Sequence, residues 1–306
     1  MSNHKGCDYS EQTVETTDKY KIHVKKWTPV ASSSPMAQLV IVHGYLEHCG
    51  RYAEFAEYLA SGGENNSNKN TTTATTVYAF DCRGHGKSSG QRGYCRNMAQ
   101  YHLDLEAVLK LTDANIPLFV LGHSNGGVIV LDYLRTRSAK NELERLSKWW
   151  KGVIISSPFL APAEVVPAWK VWASKILIWV APILTVPADL SSDVLTHDEG
   201  KRKEHDEDPL NLHSATIGWG YGVQQTQAKI IKDWQPPTVG HLPLLLSFGA
   251  ADKVADPSVT REFFQRLTST DKTIDERPDK YHEILNETDR VDLFGKIKDW
   301  MDAHLK

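Results

Sequence analysis

Ser124 lies in the run FVLGHSNGG, Phe119 to Gly127, where three apolar residues lead straight into Gly122-His123-Ser124-Asn125-Gly126. A serine hydroxyl at its free pKa is a poor nucleophile and needs an adjacent base, which is itself oriented by an acid. A strand, then G-x-S-x-G, then a helix is the spacing of a nucleophile elbow. The turn forces the serine into strained backbone geometry, and a side chain at Gly122 or Gly126 would meet the neighbouring strand and helix. In return the hydroxyl projects at the N-terminus of the following helix, where developing negative charge is favoured.

The partners should follow in the order acid, then histidine. Asp252 ends the run LPLLLSFGAAD, just past a strand and a small-residue turn, where an acid loop belongs. Asp256, four residues on and immediately before Pro257, suits a helix N-cap instead. The base is expected at His282 in DKYHEILNE; His304 lies three residues from the end and reads as solvated, and His241 precedes the acid. Acyl transfer also needs donors for the oxyanion. The backbone N–H of Asn125 supplies one, and that of Tyr45, after the strand end His43-Gly44, supplies the second. Ser124, Asp252 and His282 with the Tyr45 and Asn125 amides therefore form the candidate site.

Two other clusters carry no chemistry by spacing. His43, Glu47 and His48 read H-x-x-x-E-H, which is not a zinc-enzyme motif. The glycine-rich run Asp81–Gly93 lacks the spacing of a phosphate loop and reads as a structural turn beside the site.

These residues need elements to hold them. Continuous apolar runs at Gln38–Gly44, Thr76–Gly84, Ile116–Ser124, Lys151–Pro158 and Leu242–Asp252 read as strands covered on both faces. Helix-like segments alternate with them: GRYAEFAEYLASGG, ending in a glycine pair; MAQYHLDLEAVLKLTDAN, with Tyr101, Leu105, Val108 and Leu109 at helical spacing; GGVIVLDYLRTR after the serine; and RVDLFGKIKDWMDAHL near the end. That alternation implies a mostly parallel sheet with helices on both faces. Two regions break the rhythm. Glu64–Thr76 is polar and of low complexity and reads as a surface insertion. The stretch from Phe159 to Gly240 is a separate inserted layer. It contains Trp169, Trp172, Ile176, Leu177 and Trp179, flanked by Lys170 and Lys175, and its apolar run is well short of the ~20 residues a membrane-spanning helix needs. The expected organisation is a core at 1–158, an inserted cap at 159–240 and the rest of the core at 241–306.

The 306 residues are 41% hydrophobic and 24% charged, a globular composition, and the net charge of −3 argues against a nucleic-acid partner. Cys7, Cys49, Cys82 and Cys95 form no CxxC pair, and the polar N-terminus lacks the apolar core of a secretion signal, so free thiols and a cytoplasmic location are expected. The N-x-S/T triplets at Asn65, Asn70 and Asn286 then carry no meaning. No metal or organic cofactor is expected.

Taken together, VHGYLEHCGRYAEFAEYLA, VYAFDCRGHGKSSGQRGY, LGHSNGG, LLLSFGAADKVADP and YHEILNE resemble the monoacylglycerol lipase and lysophospholipase branch of the α/β-hydrolases, from about Val24 to the end. The resemblance implies an α/β-hydrolase core with a cap over the site, the triad Ser124, Asp252 and His282, and an oxyanion hole at the Tyr45 and Asn125 amides. It also implies hydrolysis of one fatty-acyl ester of a monoacylglycerol. Lysophospholipase or broad carboxylesterase activity are alternatives; acyl transfer, peptidase activity and a non-catalytic binding role are weaker ones. Position 125 departs from the family, which commonly has Met there. The Trp and aliphatic residues of the cap, with their flanking lysines, suit a lipid substrate and docking at a membrane surface. The alternative is that they pack the cap onto the core.

Overall fold

A strand buried on both faces sends alternate residues into two different cores, so both sets must be apolar. In the computed structural model, which describes residues 6–30, 35–63, 74–95, 97–140, 142, 148–188, 190–232 and 242–305, five such strands lie where the sequence places them. They are β3 (Ala37–Val42), β4 (Thr75–Phe80), β5 (Leu118–His123), β6 (Trp150–Ser156) and β9 (Leu244–Gly249). Val40 and Val42 of β3 enter one core, while Leu39 and Ile41 enter the other. Among the described residues one eight-stranded sheet has the order β1-β2-β4-β3-β5-β6-β9-β10, parallel from β4 to β10.

Helices cover both faces. α1 (Ala53–Ala60) and α8 (Arg290–Ala303) pack Phe55, Leu59, Phe294 and Ile297 on one side. α2 (Ala99–Leu109), α3 (Asn125–Ala139) and α7 (Pro257–Arg266) pack on the other, and all four spaced residues of α2 are buried there. The chain leaves β3 for β4 on one side and returns to β5 on the other. The crevice at the carboxyl ends of β3 and β5 is thus the switch point, where open α/β sheets bind ligands.

The large sheet continues beyond these five strands at both edges. β1 (Cys7–Glu15) and β2 (Lys21–Pro29) form an antiparallel hairpin that extends the sheet beyond β4. β2 buries Ile22, Val24 and Trp27 between lysines, whereas β1 is an exposed edge. β10 (Lys272–Arg277) closes the other edge and is mostly polar. The surface insertion is shorter than expected, because Thr75 and Thr76 are buried members of β4; its positions 64–73, with Asn65 and Asn70, lie outside the described residues, as does His241.

Between β6 and β9 the chain leaves the large sheet for α4 (Ala168–Val180), β7 (Thr185–Pro187), α5 (Glu199–Glu207), β8 (Ser214–Thr216) and α6 (Ile217–Lys232). β7 and β8 pair only with each other. Val223 and Ile230 of α6 join the core that α3 occupies. α4 by contrast buries none of its residues. All four cysteines are buried free thiols, and no helix among the described residues is long and apolar enough to cross a membrane.

Candidate active site

Ser124 is the hinge between β5 and α3, with φ 52° and ψ −118°. A non-glycine residue reaches a positive φ only where its surroundings hold it there. Here the Ser124 N–H donates to Ser156 O at 2.9 Å, and Ser124 O accepts from Phe159 N at 3.1 Å and Val128 N at 3.2 Å. The flanking glycines are required by close approach. A Cβ on Gly122 would lie 2.5 Å from Gly126 O, and one on Gly126 would lie 2.0 Å from Val42 O at the end of β3.

The structure brings the three predicted side chains together. Ser124 Oγ lies 2.8 Å from His282 Nε2, and His282 Nδ1 lies 2.7 Å from Asp252 Oδ2. Asp252 can only accept as a carboxylate, so Nδ1–H donates to it and Nε2 is left to accept from the Ser124 hydroxyl. The other oxygen of Asp252 accepts from the backbone N–H groups of Val254 at 2.8 Å and Ala255 at 3.0 Å, which fixes the carboxylate towards the histidine. The rival acid, Asp256, caps α7 by accepting from Ser258 N at 2.8 Å. His304 is remote from the site and not solvated as expected; it is partly buried against Trp300 and bonds to its carbonyl at 2.7 Å.

Burial disfavours the charged imidazolium of His282, but the Asp252 carboxylate overrides it and the pKa is raised. Two consequences follow from that sign. The acid limb of kcat/KM should have its midpoint above the ordinary histidine value of about 6.5; a midpoint at or below that value would contradict the pairing. The same raised pKa contributes stability that is present below the unfolded value and is lost as pH rises through the folded one. Neighbouring His123 behaves oppositely: burial pushes it down to about 4, so it stays neutral, and stability is lost as pH falls from about 6.5 towards 4.

The loop after β3 carries Tyr45. His43 Nε2 accepts from Cys82 N at 2.9 Å, which leaves its Nδ1–H to donate to Gly44 O at 2.5 Å. Glu47, which sequence spacing discarded together with His43 and His48, accepts from Gly44 N at 2.6 Å and Tyr52 OH at 2.7 Å. Arg51 lies against Glu47 at 3.3 Å and also bonds to Glu283, the residue after His282. Burial opposes ionisation of Glu283, but the Arg51 charge holds its carboxyl well below the usual carboxylate range. A buried ion network thus joins the Tyr45 loop to the His282 loop. No local motif announced it; the adjacency of Glu283 to His282 was its only trace in the sequence. Glu47→Gln leaves Arg51 half-compensated and should cost roughly 1–3 kcal/mol in thermal unfolding.

The glycine-rich turn 81–93 is structural. Asp81 accepts from Cys49 N at 2.8 Å and Lys87 N at 2.7 Å, and Arg83 is clamped between Asp18 and Asp104. Asp81 also lies close enough to His23 and Cys49 for one ion to span the three, a tertiary grouping that chain spacing does not reveal.

Gly44, Tyr45, Ser124, Asn125 and His282 border one cavity of about 620 Å³. Its other walls include Leu46, Phe159, Val194, Leu195 and Trp219. None of the five apolar residues singled out in the inserted segment lines it. Trp169, Trp172, Ile176 and Trp179 are exposed on α4, Trp179 at 87%, and Leu177 is partly buried.

The model of the Hydrolase_4 family, described as serine aminopeptidase, S33, matches residues 33–289. A phospholipase of Bacillus subtilis, YtpA, is 29% identical over 91% of this chain and 100% of its own length. An uncharacterised abhydrolase domain-containing protein of Dictyostelium discoideum is 28% identical over 95% of this chain, which spans 29% of that longer protein. Several other relatives are named monoacylglycerol or monoglyceride lipase. The crystal structure of the Paleococcus ferrophilus monoacylglycerol lipase superposes with a TM-score of 0.75 at 27% identity, covering 97% of this chain and 99% of that one. The chain belongs to the Hydrolase_4 family and is an α/β-hydrolase of the monoacylglycerol lipase-like branch, a carboxylic-ester hydrolase.

Proposed function

We propose that the protein hydrolyses the single fatty-acyl ester of a monoacylglycerol, releasing glycerol and a free fatty acid. The observation that carries this reading is the Ser124–His282–Asp252 relay at the wall of a cavity lined largely by apolar side chains. His282 Nε2 takes the Ser124 proton as Oγ bonds to the ester carbonyl carbon. The Tyr45 and Asn125 amides stabilise the oxyanion. The C–O bond to glycerol breaks, and His282 returns its proton to the leaving alkoxide. Water then attacks the acyl-enzyme by the same route, and the acid and Ser124 are released. Asp252 orients the imidazole and stabilises its charged form.

The segment between β6 and β9 acts as a cap, and α4 is its contact with lipid. Val165, Trp169, Trp172, Ile176 and Trp179 are exposed together with Lys170 and Lys175. Tryptophan with flanking lysine favours an interfacial position. Trp169→Ser with Trp179→Ser should reduce co-sedimentation with anionic vesicles severalfold while turnover of a dispersed short-chain ester persists. Equal co-sedimentation would remove α4 from this role.

The test of the function is fatty acid released from micellar monooleoylglycerol, beside lysophosphatidylcholine and an aminoacyl anilide. Release from the monoacylglycerol well above the other two is expected. Preference for the lysophospholipid, or cleavage of the anilide alone, would overturn the assignment.

A further inference from the structure

A second cavity of about 280 Å³ lies beside the first, and its apolar walls include Val166, Val171, Val186, Ile217 and Val223. Phe159, Pro162, Ala215 and Trp219 line both cavities and so stand between them. Trp219 is the largest of the four and the most firmly held. Its ring stacks on Tyr45 with centroids 3.5 Å apart and planes 5° from parallel, and it lies 6.3 Å from the Phe159 ring at 16°. Its indole N–H donates to Asn125 Oδ1 at 3.3 Å, and its backbone N–H donates to Thr216 Oγ1 at 3.2 Å. The Tyr45 hydroxyl in turn donates to Gly93 O at 2.5 Å and accepts from Thr216 N at 3.3 Å. One residue of the inserted segment therefore grips the side chains of both residues whose amides the proposed mechanism assigns to the oxyanion. Asn125, where the family commonly has Met, supplies the acceptor for that grip.

We propose that Trp219 is a chain-length gate: in place, it confines the acyl chain to the first cavity and holds the oxyanion loops; displaced, it opens the second cavity to the distal end of a longer chain. This rests on the acyl-ester reading above and concerns which acyl chains that site accepts. The physical balance is direct. Moving the indole breaks an aromatic stack and a hydrogen bond. A long chain recovers apolar contact in the second cavity that a short chain cannot reach. Longer chains thus enter only by loosening the groups that hold Tyr45 and Asn125.

Alkyl fluorophosphonates, which phosphonylate an activated serine and expel fluoride, separate this gate from the identity of the natural substrate. Labelling rates of Ser124 would be measured with C8 and C16 tails for the wild type, Trp219→Ala, Trp219→Leu and Trp219→Phe. The C16:C8 rate ratio should rise roughly tenfold in the alanine and leucine variants, the scale on which a pocket discriminates apolar groups. Phenylalanine keeps a ring on Tyr45, so its ratio should stay within about threefold of wild type, while both rates fall because Asn125 loses its donor. Trp219→Leu covers failure of the alanine variant to fold. An unchanged ratio in folded Trp219→Ala or Trp219→Leu overturns the gate. A shifted ratio in a protein that releases no fatty acid from monooleoylglycerol overturns the substrate and leaves the gate standing. Failure of both tails to label the wild type sinks both.

Discussion

Ser124→Ala should lower kcat on a monoacylglycerol by roughly 10⁴–10⁶-fold, the scale on which removing the nucleophile of a serine hydrolase acts. The thermal midpoint should move by no more than about 2 °C, as for a substitution that touches no packing. The asymmetry follows from what the hydroxyl does. The backbone of Ser124 is what binds the elbow together, through its bonds to Ser156, Phe159 and Val128, and alanine keeps all three. The strain of φ 52° is the same for alanine as for serine. Only the bond to His282 Nε2 is lost, and with it the oxygen proposed to attack the ester. Steady-state kinetics beside a thermal melt would measure both. Turnover within tenfold of wild type would remove Ser124 from the chemistry; a collapse of the melt would mean that its hydroxyl supports the fold.

Gly126→Ala should do the reverse and damage the fold first. The added Cβ would stand 2.0 Å from Val42 O and 2.6 Å from His43 O. Both are backbone atoms, at the end of a fully buried strand, so no flexible side chain can yield. Relief requires α3 to move away from β3 or the loop after β3 to shift, and that loop carries Tyr45. Overpacking of this kind against rigid backbone exceeds the usual 1–3 kcal/mol and should reach roughly 4 kcal/mol or more. The expected result is poor expression or a melting midpoint many degrees lower, with activity lost in any folded fraction because Tyr45 and Asn125 shift relative to Ser124. A variant of wild-type stability would show that the elbow tolerates a wider spacing from β3 than the structure has.

The two substitutions also locate what is readable in the chain. G-x-S-x-G states its own geometry: glycines mark close approach, and the serine between them marks the site. Asp252 and His282 were readable because each follows a strand and falls in the required order. The five central strands were readable because burial on both faces demands continuous apolar runs. The hairpin beyond β4 was not. β1 keeps most of its residues in water, and β2 hides Ile22, Val24 and Trp27 among lysines, so composition there resembles a loop.

By itself, the sequence determined which serine, aspartate and histidine come together, the α/β architecture and the five central strands, since each depends on short-range spacing and on patterns of burial. Tertiary structure alone decided the rest. It joined Glu47 and Arg51 to Glu283 across more than two hundred residues of chain, and it brought Trp219 onto Tyr45 and Asn125. It also turned the tryptophans of α4 outward rather than into the cavity. The physical reason is that ion pairing, ring stacking and the facing of a helix depend on distances between elements, and a linear pattern of residue types does not encode those distances until the sheet has placed the loops at its carboxyl edge.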